Sequence, residues 1–281
     1  NNPGEDARLY KAVESCSNFA IDLGINIPTG KDSLSMKQKY KDKEVISPGT
    51  VIISAAANCN DINNIIEPVL INNNDSIYYI NLSKDNFNLG GSALAQTLGY
   101  IGNHSSDIND SKYFKKAFEI FQNLIKKGLI SSGHDISSGG LITSLLEMCF
   151  PETNIGAKID LSFSKESDII KLLFNENIGL IFQGKKEIES ILESKNIFFS
   201  KIGKVNTSGV LKISKNDIDY EFKISKYRDI WYKTSYLLDI HQSGETKAIE
   251  RFKNYKNHPL IFNFPNNFNG LSNNFKPNNK V

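Results

Sequence analysis

Four short segments carry residue types able to do chemistry. The first is Ile27-Pro28-Thr29-Gly30-Lys31-Asp32-Ser33-Leu34-Ser35-Met36. Glycine lets a backbone approach a ligand closely, lysine supplies a cation, and aspartate and serine supply oxygen ligands and donors. The cluster suits a phosphate or a carboxylate, with Lys31, Asp32 and Ser33 as candidate contacts. It lacks the upstream glycine of a Walker loop. It also reads as a polar turn leading into a strand. The second segment is Gly90-Gly91-Ser92, opening Ala93-Leu94-Ala95-Gln96. Paired glycines at a helix start offer backbone N–H groups to an anion at the positive end of the helix. The plainer alternative is a helix start capped by Ser92. The third segment is Gly133-His134-Asp135-Ile136-Ser137-Ser138-Gly139-Gly140-Leu141. Here a strand ends, a loop carries a carboxylate and hydroxyls, and two glycines open an apolar helix. The Asp135 carboxylate can ligate Mg²⁺, a hard ion that shares its oxygen ligands with nucleotide phosphates. Ser137 can donate to a phosphate oxygen, and Gly139 and Gly140 add N–H groups. An ordinary glycine turn with an Asp or Ser cap remains open beside it. The fourth segment, Leu173-Phe174-Asn175-Glu176-Asn177-Ile178-Gly179, reads as a helix end and a loop, with no chemistry assigned.

These segments need elements to hold them. Leu9, Val13, Cys16, Phe19, Ala20 and Leu23 recur at helical spacing, so a helix is predicted over 5–23 with Gly24 as its C-cap. Residues 34–40 alternate as a strand, then a charged turn, Lys41-Asp42-Lys43, follows. The apolar run 51–56 reads as a buried strand. After a polar link at 72–75, strands are predicted near 77–80, 129–131, 157–161, 179–182, 198–205, 210–214 and 220–224. Helices are predicted at 92–98, 112–127, 140–149, 166–174, 186–193 and 227–240, the last carrying Trp231. Helices between strands argue an α+β fold with α/β-like alternation. Beyond Asn254 the chain is rich in Asn and Pro and reads as a linker.

Composition narrows the classes. Lysines and arginines number 33 against 31 acids, which gives no argument for nucleic acid or an anionic membrane surface. Cys16, Cys59 and Cys149 are far apart and odd in number, so a reducing, cytoplasmic setting without disulfides is expected. No apolar run approaches the ~20 residues of a membrane span. The histidines are scattered, and only His134 neighbours a candidate site. The opening Asn1 and the close on Lys280-Val281 after an Asn-rich stretch lead us to expect a piece of something longer.

In this order the segments resemble the large, single-polypeptide form of formylglycinamidine ribonucleotide synthase. The resemblance rests on residues 3–10 (Pro-Gly-Glu-Asp-Ala-Arg-Leu-Tyr), Gly30 to Met36, Ser47-Pro48 and Leu89 to Gln96. It continues through His134-Asp135 with Gly139-Gly140-Leu141, Leu173 to Glu176, and Trp231 with Thr234-Ser235-Tyr236. The resemblance runs over nearly the whole chain and weakens after about Gln242. It implies a ligase that converts formylglycinamide ribonucleotide, ATP and glutamine into the amidine, ADP, phosphate and glutamate. It implies that ATP activates the amide oxygen as an iminophosphate, which ammonia then displaces. It also implies two homologous synthetase halves, each of the aminoimidazole ribonucleotide synthetase type, followed by a glutaminase domain. On that reading 1–66 is the end of the second half's N-terminal domain. Residues 67–225 are its C-terminal domain, and 226–281 are a helix and linker toward a missing glutaminase domain.

The resemblance further implies an auxiliary ATP or ADP with Mg²⁺ in this half. Asp135 is then a magnesium ligand and Ser137 a nucleotide contact. Lys31, Asp32, Ser33, Gly90, Gly91, Ser92, Gly139 and Gly140 are further candidate contacts to phosphate or substrate. The remaining magnesium ligands, and the rest of the polypeptide as partner, lie outside the chain. Catalytic residues are not assigned. Two departures stand out. Ile136-Ser137-Ser138 replaces the usual Arg-Ser-Asp, and Asn175-Glu176-Asn177 replaces Asn-Glu-Glu. Two other classes stay open: a structural or nucleotide-binding module, and another ATP-dependent enzyme of the superfamily. The Gly30–Met36 segment and the Trp231 helix speak against the second.

Overall fold

The computed structural model of the chain describes residues 3–31, 36–47, 49–59, 61, 64–257 and 263–266. Asp32 and Ser33 lie outside these. The described chain forms two compact units, Asn1–Arg228 and Asp229–Val281.

The first unit opens with α1 (Glu5–Leu23), closed by Gly24 in the left-handed region at φ 74°. The left-handed C-cap is a conformation glycine adopts without steric cost. A short antiparallel hairpin, β1 (Lys37–Tyr40) and β2 (Lys43–Ile46), follows and is exposed along its length. Residues 51–56, expected as a buried strand, take no regular structure. Ile52 is 82 % exposed. An isolated apolar run has no ladder to join, and among the described residues no strand pairs with it.

The body of the unit is a seven-stranded mixed sheet. Its strands are β3 (Ser76–Asn81), β4 (Ile130–Asp135), β5 (Gly156–Asp160), β6 (Gly179–Gly184), β7 (Ser200–Asn206), β8 (Val210–Lys215) and β9 (Ile218–Lys223). They lie in the order β4-β6-β3-β7-β5-β8-β9, with only β5 and β8 parallel. Between them run α2 (Ala93–Thr97), α3 (Ser111–Lys126), α4 (Gly140–Cys149), α5 (Ile169–Phe174) and α6 (Glu187–Ser194). The fold is α+β, as the sequence predicts.

Both faces of the sheet are covered, and β3 shows why it reads as a near-continuous apolar run. Ile77 and Tyr79 pack with Leu141, Leu145 and Leu172 of α4 and α5. Tyr78 and Ile80, pointing the other way, pack with Tyr113, Phe121, Ile188 and Leu192 of α3 and α6. Alternate side chains of a strand face opposite layers, so a central strand with two covered faces needs apolar residues at every position. One polar residue in this interior, Gln183, has a partner for each group. Its Oε1 accepts from Ile71 N at 2.7 Å and Ser132 Oγ at 3.0 Å, and its Nε2 donates to Ile71 O at 2.9 Å. The amide thus fastens the stretch before β3 to β6 with both of its polar groups paired.

The boundary between units falls within α7 (Ile224–Ser243), and α8 (Glu245–Asn254) follows it. In the second unit Arg251 grips Asp239 through Nε at 2.8 Å and Nη2 at 2.6 Å, and Tyr232 stacks on Tyr255 at 4.0 Å between ring centroids. No helix among the described residues is long and apolar enough to cross a membrane.

Candidate functional site

β3 and β4 both run antiparallel to β6, with Asn81 opposite Gly179 and Asp135 opposite Leu180. The C-terminal ends of β3 and β4 and the start of β6 therefore lie at one end of the sheet. The loop after β3, the turn after β4 and the link before β6 gather there. Three of the four chemistry-bearing segments meet at this point although they lie far apart in sequence.

His134 and Asp135 are the last residues of β4 rather than loop residues. The β4–β6 ladder fixes their backbone, and Ser144 Oγ donates to Asp135 O at 3.1 Å. The Asp135 side chain is 68 % exposed. His134 Nδ1 lies 2.6 Å from Asp135 O, an oxygen that only accepts, so Nδ1 donates there. Its Nε2 lies 3.5 Å from Glu147 Oε2 on α4. The hydrogen bond to Glu147 raises the imidazole above its ordinary value; burial opposes this, and Asp135 adds to it. The histidine thus contacts Glu147 and the Asp135 carbonyl, and its Nδ1 also lies 3.5 Å from Asp135 Oδ1, while the Asp135 side chain stays largely exposed.

The turn continues with buried Ile136 and exposed Ser137 and Ser138. Gly139 and Gly140 sit at φ 88° and 72°. Consecutive left-handed residues make the turn tight enough to launch α4 directly from the strand end. A Cβ on Gly140 would lie 2.6 Å from Asn175 O, so the turn also packs against the end of α5. Ile136, where the resemblance leads one to expect arginine, is core: it packs with Leu141 and Ile181.

The second glycine segment lies beside it. Ser92 is the N-cap of α2, accepting from Ala95 N at 3.2 Å and donating to Leu89 O at 2.7 Å. Gly90 N donates to His104 O at 2.8 Å and Gly91 N to Ile101 O at 2.6 Å. Gly140 N donates to Ser137 O at 3.0 Å. These glycine N–H groups are therefore paired within the chain. What the glycines supply in this structure is close backbone approach and turn geometry.

The fourth segment, read in sequence as a plain loop, joins the others. Glu176 Oε1 accepts from Ala93 N at 2.7 Å and from Gly139 N at 2.8 Å. Asn177, 1 % exposed, donates through Nδ2 to Asp85 O at 3.2 Å and Asn86 O at 3.0 Å in the loop after β3. Nothing local marks these roles, because each partner lies between 37 and 92 positions away. Lys31 is exposed in the stretch after α1.

As a metal site the turn is partial. Among the described residues no group of three or more His, Cys, Asp and Glu side chains could hold an ion. One exposed carboxylate beside exposed hydroxyls nevertheless fits Mg²⁺, which binds through one or two carboxylates and completes its shell with water and substrate phosphates.

Two family models match the chain. Residues 1–58 match the family described as the FGAR-AT PurM_N-like domain, and residues 74–216 match the AIR synthase related protein, C-terminal domain. The chain is 38 % identical over 243 residues to a probable phosphoribosylformylglycinamidine synthase of Arabidopsis thaliana, covering 84 % of the chain and 17 % of that protein. It is 34 % identical over 247 residues to the human phosphoribosylformylglycinamidine synthase, covering 84 % and 18 %. The chain thus spans less than a fifth of the length of these relatives. Among solved structures it is similar to Thermotoga maritima PurL complexed with FGAR, at 15 % identity and a TM-score of 0.48 over 59 % of the chain and 30 % of that one. With residues 74–216, just over half of its length, matched to one family, the chain belongs to the AIR synthase related proteins through their C-terminal domain.

Proposed function

We propose that the chain is part of an ATP-dependent, amidine-forming ligase of purine biosynthesis. It would act on formylglycinamide ribonucleotide with glutamine as nitrogen source, and would contribute one side of a magnesium–nucleotide site. The observation that carries the reading is the 34–38 % identity to phosphoribosylformylglycinamidine synthases over 84 % of the chain. The geometry supports it with a solvent-facing carboxylate and hydroxyl at one end of a sheet.

In this reading Asp135 binds the ion and Ser137 donates a hydrogen bond to a phosphate oxygen. Mg²⁺ supplies charge neutralisation at the phosphates when bound. The chain's own contribution is placement. The β4–β6 ladder fixes Asp135, His134 holds its partners through both ring nitrogens, and the Gly139-Gly140 turn sets Ser137 beside the strand end. The glycines at 90, 91, 139 and 140 and the Ser92 cap shape the two turns. Lys31, Asp32 and Ser33 are proposed contacts for a substrate phosphate or carboxylate. Glutamine hydrolysis, the remaining metal ligands and the partner half are assigned to the rest of a longer polypeptide, working in the cytoplasm.

The test is Asp135→Ala in the full-length protein, followed by titration with Mg·ADP and by amidine formation. Removing a metal-binding carboxylate is expected to weaken Mg·ADP binding by ~tenfold or more. Unchanged affinity and unchanged activity would remove Asp135 from the site.

A further inference from the structure

The Asn175-Glu176-Asn177 link between α5 and β6 is anchored at all three residues. Asn175 Nδ2 donates to Lys171 O at 2.8 Å and to Leu172 O at 3.2 Å, closing the end of α5. Asn177 Nδ2 holds the carbonyls of Asp85 and Asn86. Between these anchors, a single Glu176 oxygen accepts from the first residue of α2 and from the N-cap residue of α4. Hydrogen bonds from backbone N–H to a carboxylate are charge-assisted and stronger than neutral ones. The two donors belong to turns that begin on different strands, β3 and β4; the β6 ladder brings the strand ends together, and beyond it the Glu176 carboxylate joins the two turns directly.

We propose that Glu176 is a positioning residue. It ties the Gly90–Ser92 turn to the Ser137–Gly140 turn and so holds Asp135 and Ser137 in the arrangement that receives the magnesium nucleotide. This rests on the nucleotide reading given above. On this proposal Glu176 acts through the two turns, which its Oε1 joins. Its negative charge is spent on the N-terminal ends of two helices, where a carboxylate is favoured.

The experiment compares wild type, Glu176→Ala, Glu176→Gln and Asp135→Ala in the full-length protein. Amide hydrogen exchange is followed in peptides containing Ala93 and Gly139, and Mg·ADP affinity is measured by calorimetry. Loss of one charge-assisted acceptor with two donors predicts faster exchange in both peptides of Glu176→Ala and roughly tenfold weaker Mg·ADP binding. Glu176→Gln keeps an acceptor oxygen and loses the charge, so about threefold weaker binding with a near-normal melting temperature is expected. That variant carries the test if Glu176→Ala does not fold. Faster exchange with wild-type affinity would reduce Glu176 to a structural brace and overturn the proposal. So would unchanged exchange in both peptides, or a Glu176→Gln affinity equal to wild type. Weakened binding in Asp135→Ala beside wild-type binding in both Glu176 variants would sink the role of Glu176 alone. Wild-type binding in Asp135→Ala would bring down the nucleotide reading itself.

Discussion

Replacing Asn177 by aspartate changes one NH₂ group for an oxygen at nearly constant volume, in a side chain 1 % exposed. Two donated hydrogen bonds disappear, those to Asp85 O and Asn86 O. Each is worth about 1 kcal/mol net, and the two carbonyls left facing an acceptor add a desolvation cost of similar size or larger. The other side-chain oxygen gives no compensation, since Asn177 Oδ1 is buried without a hydrogen-bond partner among the described residues. The sum is about 3–5 kcal/mol of lost stability. The loss depends on pH with a definite sign. Burial against carbonyl oxygens raises the folded-state pKa of the new carboxyl above its unfolded value of about 3.9. The penalty is therefore smallest below that value. It grows as pH rises toward the folded pKa, by about 1.4 kcal/mol for each pH unit that separates the two values. Urea unfolding of Asn177→Asp near neutral pH and at about pH 5 measures both parts. A loss below ~0.5 kcal/mol, or one identical at the two pH values, would refute the role given to the Asn177 amide.

Two further outcomes are expected. Gly140→Ala puts a Cβ 2.6 Å from Asn175 O and 2.7 Å from Leu173 O at a residue with φ 72°. Left-handed strain and backbone overlap together should cost about 3 kcal/mol or more, and thermal melting within ~1 °C of wild type would contradict this. Asp110 caps α3 by accepting from Tyr113 N at 2.8 Å, and Lys84 Nζ lies 3.0 Å from its other oxygen. The hydrogen bond to Tyr113, then that to Lys84, holds its carboxyl below the ordinary aspartate value. A depressed carboxyl contributes stability above its unfolded value and loses it as pH falls through the folded one. The melting-temperature gap between wild type and Asp110→Ala should thus be full at neutral pH and narrow at about pH 2; an equal gap at both would contradict the assignment.

The sequence is most informative where punctuation and periodicity coincide. Gly24 and the Gly139-Gly140 pair mark the end of α1 and the start of α4, because each adopts a left-handed conformation. The apolar run of β3 is legible because both faces of that strand are covered. The run at 51–56 has similar composition but no ladder among the described residues, and composition alone does not distinguish the two. The helix α8 falls in a stretch for which no element is predicted, although Ala248, Ile249 and Phe252 recur at helical spacing; only Ala248 of these is buried. At the candidate site, the residue types of Asp135, Ser137 and the glycine turns are visible in sequence. The link that joins them is not. Glu176 and Asn177 look like loop polar residues until the fold brings Ala93, Gly139, Asp85 and Asn86 to them. The glycine N–H groups illustrate the same limit. A glycine pair before a helix suggests exposed donors, yet Gly90, Gly91, Gly139 and Gly140 all donate within the chain.

The central claim is that the end of β4 carries one side of a magnesium–nucleotide site. A density map of the full-length protein with Mg·ADP tests it most directly. The account predicts Mg²⁺ at about 2.0–2.1 Å from an Asp135 carboxylate oxygen, with a phosphate oxygen within hydrogen-bond reach of Ser137 Oγ. A nucleotide bound in the protein but away from both residues would contradict it.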